Sequence, residues 1–278
     1  YQATANGTRS FAFGYDAIAG SVSVITNDSL ALGYQSRAPG TSATAINNSY
    51  ASGTASFAAA IGDNTATYGA KDTSAIAIGY QAKATKTYSV AIGRNARING
   101  DYGLALGFSS YATKYGSSSI GYSPKSNTVA YGMSLGVIAN GFADDIGLEL
   151  FQLQCDTTDA TPTIMSVGNT ALVSVTDTLS PEANSIVGFD IQVVARQQVS
   201  QGADCAVFKI SGGASRESAA ATTVLLNSAI TVIHNPENMG IAISANTTSG
   251  GIEITFTGLA SHNIRAVATV QATRIKYS

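Results

Sequence analysis

The sequence predicts an all-β protein built from two different kinds of sheet. Small residues and β-formers dominate its 278 residues, and 12% are charged, about half of the usual quarter in a soluble domain. A short phrase ending in glycine recurs through the first half, whereas the second half has longer runs of alternating apolar and polar residues. The first pattern is typical of a solenoid of stacked coils and the second of antiparallel sheets.

The two halves also differ in charge and aromatic content. Residues up to Gly141 carry nine Lys and Arg against five Asp and Glu, whereas the remainder carries six against twelve. Twelve of the thirteen tyrosines precede Gly141. We therefore predict two domains, residues 1–141 and 142–278. Because the chain begins at Tyr1 and not at a methionine, we expect it to be part of a longer or processed protein.

The repeat of the first half has a period of about fourteen residues. The phrase Ser89-Val90-Ala91-Ile92-Gly93 is typical, and glycines close it at regular intervals. We expect these positions to form left-handed turns, for which glycine is best suited and asparagine is the best substitute. The nine phrases predict nine coils. Their closing residues are Gly14, Gly33, Asn47, Gly62, Gly79, Gly93, Gly107, Gly121 and Gly136.

Each repeat strand is apolar or small on both faces. In a strand, Val90 and Ile92 point one way and Ala91 the other. A strand buried on both faces needs a second partner besides its own coil interior. A narrow solenoid does not supply one, so the pattern predicts that neighbouring copies pack together.

The repeat phrases from about residue 10 to residue 141 resemble the head repeats of trimeric autotransporter adhesins. The resemblance implies a left-handed parallel β-roll in which three chains pack side by side as a homotrimer. Longer spacings, from Gly14 to Gly33 and from Gly62 to Gly79, imply loops that bulge from the roll. Similar repeats also occur in phage fibres, so the roll does not distinguish a bacterial from a phage protein.

The second half contains about eight candidate strands separated by turn signals, which predicts an antiparallel sandwich or jelly roll. The candidates are Leu148–Cys155, Ala171–Val175, Ser185–Arg196, Ala206–Ser211, Thr222–Leu226, Ile241–Ala245, Gly251–Thr257 and Ile264–Ile275.

Residues 185–278 resemble the C-terminal domain of many phage tail fibres and tail proteins. The segments that carry the resemblance are Val193–Arg196, Ala206–Ile210, Ala245–Ile254, Gly258 and Asn263–Ala268. One departure is Ala266, because an aromatic residue commonly follows the arginine that is Arg265 here. The resemblance implies a tail-fibre fragment whose roll is a spacer and whose second domain carries the adhesive tip.

Recognition is expected in the polar connections of the second domain, because loops positioned by rigid strands usually carry binding. These connections are 197–204, 212–219 and 234–238. The predicted receptor is a cell-surface glycan or an outer-membrane protein, and the predicted partners are other virion tail proteins. The candidate receptor-binding residues are Gln197, Gln198, Gln201, Arg216, Glu217, His234, Asn235 and Asn238.

Two other functions remain open from the residues. The chain could be the head of a bacterial trimeric adhesin on the cell surface, or a structural virion spike without a receptor role. An upstream virion-attachment segment in the gene would favour a tail fibre, whereas a downstream coiled coil and membrane anchor would favour the adhesin.

The residues also indicate which chemistry to exclude. His234 and His262 are the only histidines and neither has a metal-ligand spacing, so no metal, cofactor or catalytic residue is predicted. A polysaccharide-cleaving tailspike would need two carboxylates across a groove, and acids are sparse in the roll. Acidic Asp144 and Asp145 are expected to be solvated. The net charge of −2 does not suggest nucleic acid, and no apolar run approaches the roughly 20 residues of a membrane span.

Two smaller expectations concern side chains. Cys155 and Cys205 are expected to be free thiols, although a disulfide between them is possible. Aromatic residues that follow the phrase-ending glycine are expected to stack along one edge of the roll, interrupted at Asp63 and Arg94. These residues are Tyr15, Tyr34, Tyr80, Phe108 and Tyr122.

Overall fold

The computed structural model of the chain describes residues 2–21, 28–122, 125–126, 132–136, 146–167, 178–198 and 204–276. In these ranges helix occurs only as short 3-10 turns such as Ala220–Thr222, which confirms the all-β class. No helix there is long and apolar enough to cross a membrane. The chain divides into two compact units. The predicted boundary at residues 141 and 142 lies outside the described residues, as do Asp144 and Asp145.

The first unit is a parallel β-solenoid with two columns of short strands. The first column contains β2 (Phe11–Phe13), β4 (Leu30–Leu32), β6 (Thr44–Ile46), β7 (Phe57–Ala59), β9 (Ile76–Ile78), β11 (Val90–Ile92), β13 (Leu104–Leu106), β15 (Ser118–Gly121) and β17 (Met133–Gly136). The second contains β1 (Thr4–Ala5), β3 (Ile18–Ala19), β5 (Arg37–Ala38), β8 (Gly69–Ala70), β10 (Lys83–Ala84), β12 (Arg97–Ile98), β14 (Tyr111–Ala112) and β16 (Lys125–Ser126).

The strands stack in the register that the repeat predicts. Val90 pairs with Ile76 in the coil before and with Leu104 in the coil after. Single bridges of Tyr50 and Ala51 connect the second column between β5 and β8. Within the described residues, eight coils have a partner in both columns, whereas β17 is followed by residues outside those ranges. The prediction of nine coils is therefore corrected to about eight.

Alanine fills most of the inside of the roll, together with the buried Ile61 and Ile98, and the larger side chains of the first strand column point outward. Ala77, Ala91 and Ala105 are completely buried and stack on one another through the parallel register. Serine hydroxyls at the corners are also buried: Ser49 donates to the Ile46 carbonyl at 2.7 Å. The interior is thus too narrow for more than a methyl or hydroxymethyl group at these positions.

Replacing Ala91 with Leu is therefore expected to destabilise the roll strongly. Overpacking a tight core costs about 1–3 kcal/mol, and here the added atoms meet alanines directly above and below. Thermal unfolding followed by circular dichroism should show a lower melting temperature. Lys86→Leu, at an exposed position of the same coil outside the strand columns, is the control and should melt close to the parent. Equal melting temperatures for the two variants would contradict the assignment of Ala91 to the interior.

The predicted left-handed turns are confirmed for eight of the nine phrases. Asn47 has φ of 49° and Gly93 has φ of 128°, and Gly14, Gly33, Gly62, Gly79, Gly107 and Gly121 also have positive φ. Gly136 closes β17 next to residues outside the described ranges.

The second unit consists of two antiparallel sheets. The larger contains, in spatial order, β18 (Ile146–Thr157), β25 (Ile264–Lys276), β20 (Ser185–Gln197), β21 (Cys205–Arg216) and β22 (Val224–His234). The smaller contains β19 (Thr163–Ile164), β24 (Gly251–Thr257) and β23 (Gly240–Asn246). Leu153, Phe208 and Phe256 belong to one buried cluster to which both sheets contribute. The sandwich or jelly-roll assignment and the homotrimer stay predictions.

Two strands are longer than the sequence indicated. β21 continues through Gly212 and Gly213 to Arg216, and β22 continues from Leu226 to His234. The predicted loop 212–219 is therefore wrong over its first five residues. The candidate strand 171–175 lies outside the described residues, and the short β19 was not predicted.

The cysteines are free thiols, as expected. Cys155 lies in the core of the second unit, and burial raises its thiol pKa to about 12. Its neighbours in register are Ala266 of β25 and, on the next strand, Ala195 of β20. This row of small side chains replaces the aromatic residue that the tail-fibre resemblance would place at Ala266.

Candidate binding surfaces

The long strands of the second unit give it two opposite ends. At the loop end β18 ends at Thr157, β20 at Gln197 and β22 at His234. At the root end β18 begins at Ile146 and β21 ends at Arg216. Strands of twelve residues at about 3.3 Å per residue separate the two ends by roughly 40 Å. The predicted receptor-binding residues are therefore divided into two distant groups.

Gln197 and Gln198, which belong to the first group, lie in a polar cluster at the loop end. Gln198 donates from Nε2 to Asp156 Oδ1 at 2.8 Å. Arg265 donates to both oxygens of the same carboxylate, at 2.8 and 3.0 Å, and this hydrogen bonding raises the pKa of its guanidinium. The backbone N–H of Gln197 donates to the backbone carbonyl of Asp204 at 2.9 Å. Side chains here are held by charge-assisted bonds and stay solvent-accessible.

The connection after β22 completes this end. His234 is exposed, as is Asn238, whose φ is 57°. Asn235 is fixed by two hydrogen bonds of 2.8 Å, one to the Met239 carbonyl and one from the Met239 amide. This asparagine therefore shapes the loop. Gln201 lies outside the described residues.

The second group, at the root end, has structural contacts. Arg216 donates from Nη1 to the Pro181 carbonyl at 3.3 Å and packs against Gly250, where a Cβ would lie 2.6 Å from Nη1. The Glu217 amide donates to Thr222 Oγ1 at 3.0 Å. Arg216 is half-buried, and Glu217 is exposed.

A buried charge network lies at the same root end. Arg274 bonds Glu149 and also lies 3.0 Å from Glu182, which pairs with Lys276 at 3.1 Å. Removing one partner of a buried ion pair of this kind is strongly destabilising, because the other charge stays buried without compensation. We infer that the network stabilises the ends of the strands.

The outer face of the larger sheet carries polar residues that the sequence analysis did not select. Gln152, Thr269, Gln192 and Lys209 lie opposite one another in a row across four strands. Strict alternation within β18, β20 and β25 places them opposite the buried residues, and this alternation is the signal that could have identified them.

Aromatic ladders run along the roll. Tyr15 stacks on Tyr34 with ring centroids 5.2 Å apart, and Phe108 on Tyr122 at 4.7 Å. Arg94 was expected to interrupt the ladder of residues that follow the phrase-ending glycines, but it does not. Its guanidinium lies 5.6 Å from the centre of the Phe108 ring and 5.7 Å from that of Tyr80. This arginine continues the ladder by cation–π contact. The prediction that these residues stack is confirmed for Tyr15 with Tyr34 and for Phe108 with Tyr122, and the role of Arg94 is corrected.

A second ladder was not predicted. Tyr88 stacks on Tyr102 with centroids 5.2 Å apart, and Tyr102 contacts Tyr115 at 5.2 Å. All three rings are largely exposed. The fourteen-residue spacing from Tyr88 to Tyr102 is the signal that could have found it.

Titratable groups on the described surface form few clusters. His262 Nε2 lies 3.5 Å from Asp204 Oδ2 at the loop end. On the outer sheet face, a hydrogen bond from Ser211, together with nearby Lys209, lowers the pKa of Asp190. No group of three or more His, Cys, Asp or Glu side chains within the described residues could hold a metal ion.

One family profile matches the chain. The YadA head domain repeat matches in two copies, over residues 1–17, 27–46, 70–96 and 99–123. These segments lie within the roll and amount to about a third of the chain. No curated protein shows significant sequence similarity.

The solved structures with weak similarity include two phage tailspike proteins. One is the tailspike protein gp49 of Acinetobacter baumannii bacteriophage Fri1, a capsular polysaccharide depolymerase (11% identity, TM-score 0.27, 73% of this chain and 40% of that chain). The other is the tailspike protein of Acinetobacter phage vB_ApiP_P1 (9% identity, TM-score 0.24, 94% and 43%). This chain thus spans less than half of either protein, and TM-scores of this size do not establish a common fold. What is shown is an all-β chain with a β-solenoid, segments of which match the YadA head domain repeat.

Proposed function

We propose that the chain is a non-enzymatic attachment protein, a phage tail-fibre fragment that binds a receptor on the host bacterial surface. The roll is the spacer, and the second unit carries the contact residues. The observation that carries this proposal is a solenoid with YadA head repeats joined to a unit whose strand ends present exposed polar loops.

The outward surface of the roll supports assembly into a homotrimer. Ile76, Val90 and Leu104 form a continuous half-exposed apolar column, and Ile92 in the neighbouring column is 37% exposed. A contiguous exposed apolar stripe of this kind is typical of a surface that another chain covers. Three copies follow from the resemblance to adhesin heads.

Recognition is assigned to the loop end. His234 and Asn238 are exposed there, and Gln197 and Gln198 lie at the same end of the sheet, where β20 ends two strands away. Amides and imidazoles suit hydrogen bonding to a glycan or to a loop of an outer-membrane protein. The half-buried Arg216, at the opposite end, is not part of this group.

A second candidate function is the head of a bacterial trimeric adhesin. The YadA head repeat itself favours it, since the family is defined on such heads. A structural virion spike, the third candidate, shares the roll but needs no exposed recognition loops.

A cell-binding assay would distinguish the three candidate functions, namely the tail fibre, the adhesin head and the structural spike. Fluorescently labelled full chain should bind a subset of a panel of Gram-negative strains and leave epithelial cells and matrix proteins unlabelled. His234→Ala/Asn238→Ala should lower bacterial labelling about tenfold, since hydrogen bonds from exposed loops are lost, whereas Tyr102→Ala in the roll should not. Binding to epithelial cells or matrix alone would favour the adhesin. Binding to neither would favour the spike, and release of sugar reducing ends would refute the non-enzymatic assignment.

A further inference from the structure

The outer face of the five-stranded sheet carries two rows of mostly polar side chains. One row contains Gln152, Thr269, Gln192, Lys209 and Thr231 in cross-strand register. The next row toward the root end contains Leu150, Gln271, Asp190, Ser211 and Ala229. Amides and hydroxyls therefore occupy the centre of this face.

The amides of this face have no partners of their own. Within the described residues, the side chains of Gln152, Gln192 and Gln271 make no hydrogen bond to the chain. Each carboxamide offers two donor hydrogens and an acceptor oxygen. Neighbouring strands are about 4.8 Å apart, so a ligand lying across the strands would meet several of them in succession.

The face is also shaped as a groove. A cavity of about 360 Å³ is lined by Gln192, Gln271, Thr269 and other residues of all five strands. A second cavity, of about 690 Å³, adjoins it and shares Leu150 and Thr269.

A β-bulge builds one wall of the groove. Phe208 pairs with Val232 whereas Val207 pairs with His234, so Ile233 is the extra residue of β22. A bulge re-aims a side chain, and Ile233 lines the smaller cavity. It provides an apolar surface beside the amides.

Charge on the face is balanced. Lys209 Nζ lies 3.6 Å from Asp190 Oδ1, and Ser211 donates to the same carboxylate oxygen at 2.6 Å. The groove therefore has no net charge from this pair and no cluster of cations that would select an anionic polymer.

We propose that this groove is a second binding surface, which holds a neutral polysaccharide across the strands of the larger sheet. Free amides bind sugar hydroxyls, while Leu150 and Ile233 contact the apolar faces of the rings. A protein partner is disfavoured, since interface cores are enriched in aromatic and apolar residues. The inference rests on the proposed attachment function and adds a site and a ligand class to it.

The test uses the full chain and the strain that it labels most strongly. The probe is the neutral polysaccharide fraction purified from that strain, immobilised for binding measurements. Gln192→Ala/Gln271→Ala is expected to lower the affinity about tenfold or more, because several hydrogen bonds are lost together, with an unchanged melting temperature. Gln2→Ala, the same chemical change at an exposed position in the roll, is the control and should bind like the parent.

Three results would overturn the groove assignment: parent-like binding of the probe by the double variant, no binding of the probe by the parent chain, or binding to the acidic fraction alone. If the double variant labels cells normally while His234→Ala/Asn238→Ala does not, the groove is wrong and the attachment function stands. If the parent labels no cells, the attachment function itself fails.

Discussion

Gly107→Val is expected to be among the most damaging single changes in the roll. Gly107 has φ of 115°, and an added Cβ would lie 2.0 Å from the carbonyl oxygen of Gly121 in the next coil. The conformational strain alone costs at least about 1–2 kcal/mol, and the clash is with backbone, which cannot rotate away. Chemical denaturation should give a clearly lower unfolding free energy for this variant.

Gly188→Val is the matched control. Gly188 lies in β20, where a Cβ would meet no atom within 4 Å. Valine favours strands, so this variant should be as stable as the parent or more stable. If Gly107→Val unfolds at the same denaturant concentration as Gly188→Val, the assignment of Gly107 to a tight turn is wrong.

Ile92→Glu/Leu106→Glu is expected to dissociate the proposed trimer. Both side chains point outward on consecutive coils of the apolar columns. If copies pack through these columns, two carboxylates per chain would be desolvated next to one another, at a cost that far exceeds ordinary surface substitutions. Analytical ultracentrifugation should show a trimer for the parent and a monomer or aggregate for the variant.

The control for this change is Lys86→Glu/Arg97→Glu, which also introduces two carboxylates and changes the net charge even more, at exposed positions of the roll outside the apolar columns. It should sediment as the parent does. A folded monomeric parent at micromolar concentration would refute the trimer.

The sequence predicted the roll best, because the same tight turn is required in every coil. Every coil must turn in the same cramped space, so glycine recurs, and Asn47 stands in with φ of 49°. The strands of the roll could be predicted because alanine alternates with larger residues in most of the repeat phrases. The coil count was overestimated because the ninth phrase forms only β17 within the described residues.

Two glycines of the second unit do not form the turn that the sequence predicts. Gly212 and Gly213 suggested a turn, yet β21 runs through them. A Cβ at Gly212 would lie 2.8 Å from the Phe189 ring and 2.5 Å from the Asn227 carbonyl. Glycine allows the strands to pack closely at this position. The local sequence does not distinguish a glycine required for close packing from a glycine in a turn.

The candidate binding residues were harder to group from the sequence than the strands. Which loops share an end depends on the order and register of strands, and His234 and Arg216 are separated because β21 and β22 are long. The sheet-face glutamines were passed over because polar residues alternating with buried ones are the ordinary appearance of a solvated strand.

The alanine interior has a consequence for how such a rod changes length. Each coil meets only the coils above and below it through near-identical contacts, as Ala91 does between Ala77 and Ala105, so a solenoid of this kind behaves as a one-dimensional array. Duplication or deletion of one fourteen-residue unit in the gene preserves the remaining contacts and changes the length of the roll by about 4.8 Å. The length of the roll can therefore evolve in small fixed increments.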